Sequence, residues 1–296
     1  MNKTYKRILI LVTLILLLIL YLINSTLIIN EIINYTNLFF TKLFPVTFIF
    51  FILSSLLLDY GIIELFSKYL KLNTSNLYIL LMSMISGFPS GSKYTKELLE
   101  KNLITTKEAN KIIMYTHFPN PLFVLGTVNN IINNKIITIK ILISIIISNI
   151  IILLFTKEKN KTPIIYNYNY PKNFANSLTK AALSSTKTIL IIYTTSIFFY
   201  LITVIINKYF LLSPNQYVLL NGIFDLTKGV TSASILSNQL QKSIYIIFFI
   251  SFGGISIHMQ VKSILSDTSI KYKNFLLGRI LSTIITIFIF LLLLIN

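Results

Sequence analysis

The chain has no cysteine and few acidic residues. Among its 296 residues, Asp and Glu together number 9 and His numbers 2, against 26 Lys and Arg. The absence of cysteine excludes disulfides and thiol chemistry. No nucleophile motif, phosphate-binding loop or pair of catalytic carboxylates occurs, and the two histidines are too isolated in sequence to suggest a metal site. We therefore expect neither an enzyme nor a protein that carries a cofactor or a metal.

The chain is rich in apolar residues. Hydrophobic residues make up 54% of it, its mean hydropathy is +0.77, and apolar runs of about twenty residues recur, which a soluble core does not need. The formal net charge of +17 could attract nucleic acid, but the lysines lie between apolar segments and form no long basic run. We predict an all-α polytopic membrane protein whose partner is the lipid bilayer and not nucleic acid.

Apolar runs separated by lysines predict about seven spanning helices. The runs are residues 8–23, 39–58, 112–132, 136–155, 188–207, 243–261 and 276–295. Basic residues before the first run place the N-terminus in the cytoplasm, and no signal cleavage site follows this run. Residues 24–38 lack Lys and Arg and are predicted to form an external loop. Arg279, near the start of the last run, is counted as a cytoplasmic charge.

These spans divide into two halves. Residues 1–30 contain an N-terminal membrane helix, residues 38–156 a first repeat and residues 188–296 a second repeat. Residues 157–187 contain several lysines and a stretch rich in Tyr and Asn, and they are predicted to be a cytoplasmic linker between the repeats.

One segment in each half is too short or too polar to span. In the first half an apolar run of half the required length is interrupted by Gly87, Pro89 and Gly91, with lysines on both sides. We predict a re-entrant hairpin over residues 77–101, although a short interfacial loop would also fit, and a second hairpin over residues 216–240. The first repeat begins with an inward span and the second with an outward one, which indicates an inverted repeat with a site near the midplane.

The span at 112–132 is predicted to be discontinuous, because Pro119 and Pro121 break its backbone hydrogen bonds. Residues of the two hairpins, of this proline stretch and of the span at 243–261 are the candidate substrate-binding residues, because polar groups inside a membrane are costly. They are Ser86, Gly87, Pro89, Ser90, Gly91, Ser92, Lys93, Thr116, His117, Asn120, Asn221, Asp225, Thr227, Lys228, Gly253, Gly254, His258 and Gln260. A helix that begins after Gly91, together with Lys93, suits a carboxylate, but Lys93 could instead extend to the cytoplasmic interface. Asp225 and Lys228 could neutralise each other. His258 could carry a proton or be a structural histidine.

Four stretches of this sequence resemble the YlbJ family of sporulation membrane proteins, in the nucleoside-recognition or gate group of endospore-forming bacteria. They are SGFPSGSKYTKELLEKNLITTKEA, YTHFPNPLFVLGTV, GIFDLTKG and SFGGISIHMQVKSILSDTSIKYKNFLLGRIL. The likeness covers residues 38–294, and the block at 253–260 is its most specific part. The chain departs from the family pattern at THFPNP, where TN-x-x-GP is expected, and at Asp225, where Glu is expected.

The resemblance implies a transporter that moves dipicolinic acid out of the mother cell toward the forespore. It implies a location in the mother-cell-derived outer forespore membrane and an architecture related to concentrative nucleoside transporters. The hairpin tips at 87–93 and 222–229 would face each other, with Lys93 or Lys228 holding the carboxylates and with His258 and Gln260 lining the path or bracing the second hairpin.

Two other functions remain open. A transporter of nucleosides or other small neutral metabolites is favoured if Asp225 dominates the pocket. A non-transporting sporulation scaffold would have little use for polar, broken helices. The sequence assigns no coupling ion and no oligomeric state.

Overall fold

The computed structural model describes residues 3–70, 75–156 and 171–295, and all regular elements in these ranges are helical. The helices of the first half are α1 (Lys3–Ile23), α2 (Ser25–Leu38), α3 (Phe44–Asp59), α4 (Ile62–Leu70), α5 (Ser75–Ser86), α6 (Ser90–Glu100), α7 (Thr106–Tyr115), α8 (Pro121–Phe123), α9 (Asn129–Ile132) and α10 (Lys135–Thr156). Those of the second half are α11 (Phe174–Tyr209), α12 (Pro214–Phe224), α13 (Leu226–Ser232), α14 (Gln239–Phe252), α15 (Ile255–Ile264) and α16 (Tyr272–Ile295). Two π-helical segments, Phe39–Leu43 and Val124–Val128, join α2 to α3 and α8 to α9, and a 3₁₀ helix, Ala233–Ile235, follows α13.

Five helical segments of the described ranges are long and apolar enough to cross a membrane. They are Thr4–Ile23, Lys135–Thr156, Phe174–Tyr209, Gln239–Ile264 and Tyr272–Ile295. Of the seven predicted spans, the two at 39–58 and 112–132 are represented only by shorter apolar helices. The prediction of an all-α membrane protein is therefore confirmed, whereas the count of seven spans stays a prediction.

The predicted external loop at residues 24–38 is wrong, because α2 occupies it and continues through a π-helical segment into α3. Its polar side chains find partners at helical spacing or on a neighbouring helix. Thr36 Oγ1 donates to the Ile32 carbonyl at 2.6 Å, and Glu31 accepts a hydrogen bond from the Tyr200 hydroxyl of α11. A scarcity of lysine indicates a side of the membrane, but it does not exclude a helix.

The predicted linker lies partly outside the described residues, which resume at residue 171. Its last part, residues 174–187, is the beginning of α11, where Asn173 Oδ1 accepts from the Ala175 N–H at 2.9 Å and caps the helix. Lys180 and Lys187 are exposed on this helix. A helix carries lysines as readily as a loop does, so the lysines of this part did not reveal where α11 begins, and the domain boundary stays a prediction.

The two halves share part of their order of elements. In each half one helix, α3 or α11, precedes a helical hairpin, a broken helix and a long helix, but α4, between α3 and its hairpin, has no counterpart in the second half. Hairpin 1 consists of α5 and α6, and hairpin 2 of α12 and α13. Break 1, residues 116–120, separates α7 from α8, and break 2, residues 253–254, separates α14 from α15. The equivalent helices pack together, α3 on α11 and α10 on α16. The opposite orientation of the two halves in the membrane stays a prediction.

Candidate functional site

Hairpin 1 turns at Gly87, whose φ of +79° is strained for residues with a side chain. Pro89 precedes the first residue of α6, so the proline stands where no helical N–H is needed. Two hydroxyl contacts link the arms: Ser86 Oγ lies 2.7 Å from the Tyr94 hydroxyl, and Ser90 Oγ donates to the carbonyl of residue 83 at 3.4 Å. Two short helices joined by a tight turn therefore occupy this segment, and its re-entrant path through the membrane stays a prediction.

The second arm of hairpin 1 packs directly on break 1. A Cβ atom at Gly91 would lie 1.9 Å from the Thr116 carbonyl oxygen, so only glycine permits this approach. Beside it, Ser92 Oγ lies 2.8 Å from His117 Nε2. Both partners in this hydrogen bond are buried, which gives His117 a structural partner.

Asp225 connects the two helices of hairpin 2. One carboxylate oxygen accepts from the Lys228 backbone N–H at 2.9 Å and caps α13, and the other accepts from Ser256 Oγ at 3.2 Å. The contact between the two residues is thus a backbone hydrogen bond, and no Asp225–Lys228 ion pair occurs among the described residues. The Lys228 ammonium lies over the Tyr200 ring, 5.4 Å from its centroid.

Break 2 packs on hairpin 2 as break 1 packs on hairpin 1. Gly253 has a φ of +76°, and Gly254 caps α15. A Cβ at Gly254 would lie 3.0 Å from the Gly222 carbonyl oxygen and 3.1 Å from the Asp225 nitrogen. Nearby, the buried Asn221 accepts from Asn207 Nδ2 at 3.0 Å. Each hairpin tip is therefore in contact with the broken helix of its own half.

Both hairpin tips, break 1 and helix α15 line one cavity of about 90 Å³, which we call the central cavity. Six of the predicted site residues line it: Ser86, Gly87, Asn120, Asp225, Thr227 and Gln260. Polar residues that sequence reasoning missed are Tyr35, Thr47 and Ser196. They lie in α2, α3 and α11, in helices without Gly or Pro interruptions at these positions, so no local signal marked them.

Lys93, which was predicted to hold a carboxylate, does not line the central cavity. Its side chain is 3% exposed, and Nζ donates to Ser55 Oγ at 2.8 Å and to Glu97. The rings of Phe51 and Tyr94 lie 5.5 and 5.4 Å from the ammonium. Lys93 is therefore buried, and the ion pair with Glu97 on its own helix holds it away from the central cavity.

Lys228 does not line the central cavity either. No Lys or Arg side chain of the described residues lines it. Neither lysine that was predicted to hold the carboxylates, Lys93 or Lys228, therefore lines this cavity. Hydroxyl and amide groups and the Asp225 carboxylate supply the polar lining instead.

His258 has two hydrogen-bond partners that make it a brace of break 2. Nδ1 lies 2.7 Å from the Tyr272 hydroxyl, and Nε2 lies 3.1 Å from the Phe252 carbonyl, the last residue of α14. A carbonyl only accepts, so Nε2 donates and Nδ1 accepts. This geometry favours the structural interpretation of His258 over the proton-carrying one.

Arg279 is a residue whose position the sequence did not reveal, and its assignment to the cytoplasmic charges is wrong. The side chain is fully buried, and its guanidinium donates to the carbonyls of His117 at 2.7 Å, Met114 at 3.0 Å and Ser251 at 3.2 Å, and to Asn149 Oδ1 at 3.0 Å. These carbonyls belong to break 1 and to the C-terminal ends of α7 and α14, which carry unpaired acceptors and partial negative charge. One cation therefore stabilises both broken helices.

Comparison with known proteins gives one relative. No family model and no solved structure matches the chain. Sporulation integral membrane protein YlbJ of Bacillus subtilis (strain 168) is 27% identical, in a match that covers 83% of this chain and 72% of the relative. The chain is therefore similar, over most of its length, to an integral membrane protein that is named for sporulation.

Proposed function

We propose that this chain is a transporter that carries a small metabolite across a membrane during sporulation. The observation that carries the proposal is the meeting of two hairpin tips, break 1 and the half-helix α15 at the central cavity. Interrupted helices leave backbone groups unpaired, which membranes tolerate only where those groups are buried in protein or line a cavity. Secondary transporters build their substrate sites from such discontinuous helices.

The size of the central cavity implies that transport involves opening. About 90 Å³ has room for several water molecules, whereas small-molecule sites commonly occupy about 300–1,000 Å³. The structure therefore corresponds to a closed form, and a hairpin tip or a half-helix has to move before a solute enters. The glycine contacts between each hairpin and its break provide surfaces without long side chains along which such movement can occur.

The substrate that we propose is dipicolinate, moved out of the mother cell toward the forespore. The resemblance to the YlbJ family implies it, and one physical feature supports an anion. Arg279 brings a full positive charge to the ends of the broken helices, and the partners found among the described residues are carbonyl and amide oxygens and no carboxylate. In a medium of low dielectric constant this charge attracts an anion over several ångströms.

The contacts to dipicolinate would then come from neutral groups. Asn120, Thr227 and Gln260 line the central cavity and offer hydrogen-bond donors to the carboxylates. Asn120 belongs to the first half of the chain and Thr227 to the second. A solute held between them would be released when the halves move apart.

A second candidate is a transporter of nucleosides or other neutral metabolites. It is favoured by the presence of Asp225 in the cavity wall and by the absence of cationic side chains from its described lining. A carboxylate accepts hydrogen bonds from sugar hydroxyls and base N–H groups but repels a dicarboxylate.

Reconstitution in proteoliposomes distinguishes these candidates. We expect labelled dipicolinate to be taken up and to be displaced by excess unlabelled dipicolinate, but not by uridine or adenosine. Displacement by nucleosides alone would select the second candidate. If neither solute is transported and neither stabilises the purified protein, the remaining candidate is the non-transporting scaffold.

A matched pair of variants tests the role of the central cavity. Thr227→Val keeps the shape of a cavity side chain and removes its hydroxyl, so we expect the KM for the transported solute to rise about fivefold, the equivalent of one hydrogen bond of about 1 kcal/mol. Thr194→Val on the exposed face of α11 should change nothing. If the two variants have the same KM, Thr227 does not contribute to the substrate site.

Spores of a strain that lacks the gene test the biological role. We expect a low dipicolinate content that external dipicolinate restores, together with accumulation of dipicolinate inside the mother cell. Normal content in the spores would contradict the proposal.

A further inference from the structure

A second and larger cavity lies between α6, α11 and the end of α15. It has a volume of about 430 Å³, and we call it the charged cavity because three basic and three acidic side chains line it. They are Lys93, Lys96, Lys187, Glu97, Glu100 and Asp267. Lys96 donates to Asp267 Oδ1 at 2.6 Å, and this hydrogen bond holds the pKa of the carboxyl below its usual range.

Three helices lead from the charged cavity to the central cavity. On α11, Ile191 lines the charged cavity, and the next residue, Ile192, lines the central cavity. On α15, Ser263 lines the charged cavity, and Gln260, about one turn earlier, lines the central cavity. The third helix, α6, starts at the tip of hairpin 1, which lines the central cavity, and carries Lys93 to the charged one. The two cavities therefore lie in series along the same groove.

A hydrogen bond crosses this groove at the wall of the central cavity. Gln260 Nε2 of α15 donates to Ser196 Oγ of α11 at 2.9 Å, and both side chains are buried. The other amide atom, Gln260 Oε1, is buried without a partner among the described atoms. An unpaired buried acceptor costs about 1–3 kcal/mol, and water would satisfy it once the groove opens. Separation of α11 and α15 at this point therefore has a low cost.

We propose that the charged cavity is the water-filled vestibule of the central cavity and that the Gln260–Ser196 hydrogen bond is the gate between them. The inference rests on the proposed function, since it describes how a solute reaches the central cavity. Paired charges keep such a vestibule hydrated, and they suit small polar or anionic solutes in transit. The lysine distribution predicts that the vestibule faces the cytoplasm.

Thiol labelling tests the vestibule, because the chain has no cysteine of its own and each introduced thiol is unique. Thr188 and Ser185 are both buried on α11, but only Thr188 lines the charged cavity. We expect a membrane-impermeant thiosulfonate reagent, added from the vestibule side, to modify Thr188→Cys at least tenfold faster than Ser185→Cys. Equal rates would overturn the vestibule.

A second comparison tests the gate. We expect Thr227→Cys in the central cavity to react slowly from the vestibule side, and at least tenfold faster when Gln260→Ala removes the hydrogen bond. Ser148→Cys, buried between α10 and α16, should stay unreactive in both backgrounds, which distinguishes an open gate from a loosened fold. An unchanged rate at Thr227→Cys, or an equal acceleration at Ser148→Cys, would overturn the gate.

Labelling and transport are read separately. A wild-type protein that carries neither solute in proteoliposomes contradicts the proposed function whatever the labelling rates. Unaltered labelling in the Gln260→Ala background contradicts the gate alone.

Discussion

At the scale of single residues, Arg279 is the side chain on which both broken helices depend. Helix C-termini leave carbonyls without intrahelical partners, and in a membrane no water replaces them. The guanidinium has five donors in a planar fork, so it reaches carbonyls of α7, α14 and break 1 at once. A lysine, with one nitrogen, offers no such fork.

Replacement of Arg279 should therefore destabilise the fold. We expect Arg279→Met to leave four buried acceptors unpaired and to lower the unfolding temperature in detergent by roughly 5 °C or more. Arg279→Lys should recover only part of the loss. The matched control is Arg7→Met, because Arg7 is exposed on α1. If the Arg279 variants unfold at the same temperature as the wild type, the carbonyls must find other partners.

The ion pair between Lys93 and Glu97 makes a second prediction at this scale. The pair is largely buried, with side-chain exposures of 3% and 15%. Removal of one partner leaves a buried charge, so Lys93→Met should destabilise by about 3 kcal/mol and the double variant with Glu97→Gln by less than the sum of the single changes.

The exposed pair Lys101–Asp59 serves as the control cycle, with side-chain exposures of 37% and 22%. Its coupling energy should be about 1 kcal/mol or less. Both cycles are measured by denaturant unfolding. Additive effects at Lys93 and Glu97 would contradict the structural role of this pair.

At the scale of elements, hairpin 2 depends on contact between two glycines. A Cβ at Gly229 would lie 2.1 Å from the Gly222 Cα, and backbone cannot move aside as a flexible side chain can. The short α13 therefore packs against α12 at a distance that excludes any side chain. This contact positions Asp225 and Thr227 at the central cavity.

We expect Gly229→Ala to separate the arms of hairpin 2, lower the unfolding temperature by several degrees and weaken stabilisation by the transported solute. Gly126→Ala is the control, because a Cβ there meets nothing within 4 Å. Thermal melts with and without solute measure both effects. Equal behaviour of the two variants would refute the close packing of hairpin 2.

At the scale of the whole molecule, α10 and α16 form a contact between the halves that is rich in hydroxyl groups. Ser148 Oγ lies 3.3 Å from Ser282 Oγ and accepts from Thr286 Oγ1 at 2.8 Å, and all three side chains are buried or nearly so. Neither helix lines the central cavity. We interpret this pair as a fixed frame against which the hairpins move.

A double variant tests the frame. In a chain without cysteine, Ser148→Cys combined with Ser282→Cys should form a disulfide under mild oxidation, because the two side chains already touch. We expect the oxidised protein to keep its transport activity. The matched control, Ser144→Cys with Ser282→Cys, should cross-link less. Loss of transport on oxidation, reversed by reductant, would show that these helices move during the cycle.

The sequence by itself determined the membrane class, the helical composition and the segments in which helices are interrupted. Long apolar runs leave no alternative to helices in a bilayer, and Gly and Pro act on the backbone locally, so both signals are readable without the fold. The interruption at Gly87 is found where the sequence indicated it, whereas break 2 at Gly253 falls inside the span predicted at 243–261. Six of the predicted residues accordingly line the central cavity.

The direction and partner of each polar side chain were decided only by the tertiary structure. Lys93 pairs with Glu97 on its own helix, and Arg279 reaches across two breaks, although each is a single basic residue beside an apolar run. Ser196 faces the central cavity from the middle of an unbroken helix. The free energy of a buried charge or hydroxyl depends on which atoms surround it, and those atoms come from helices far apart in the chain.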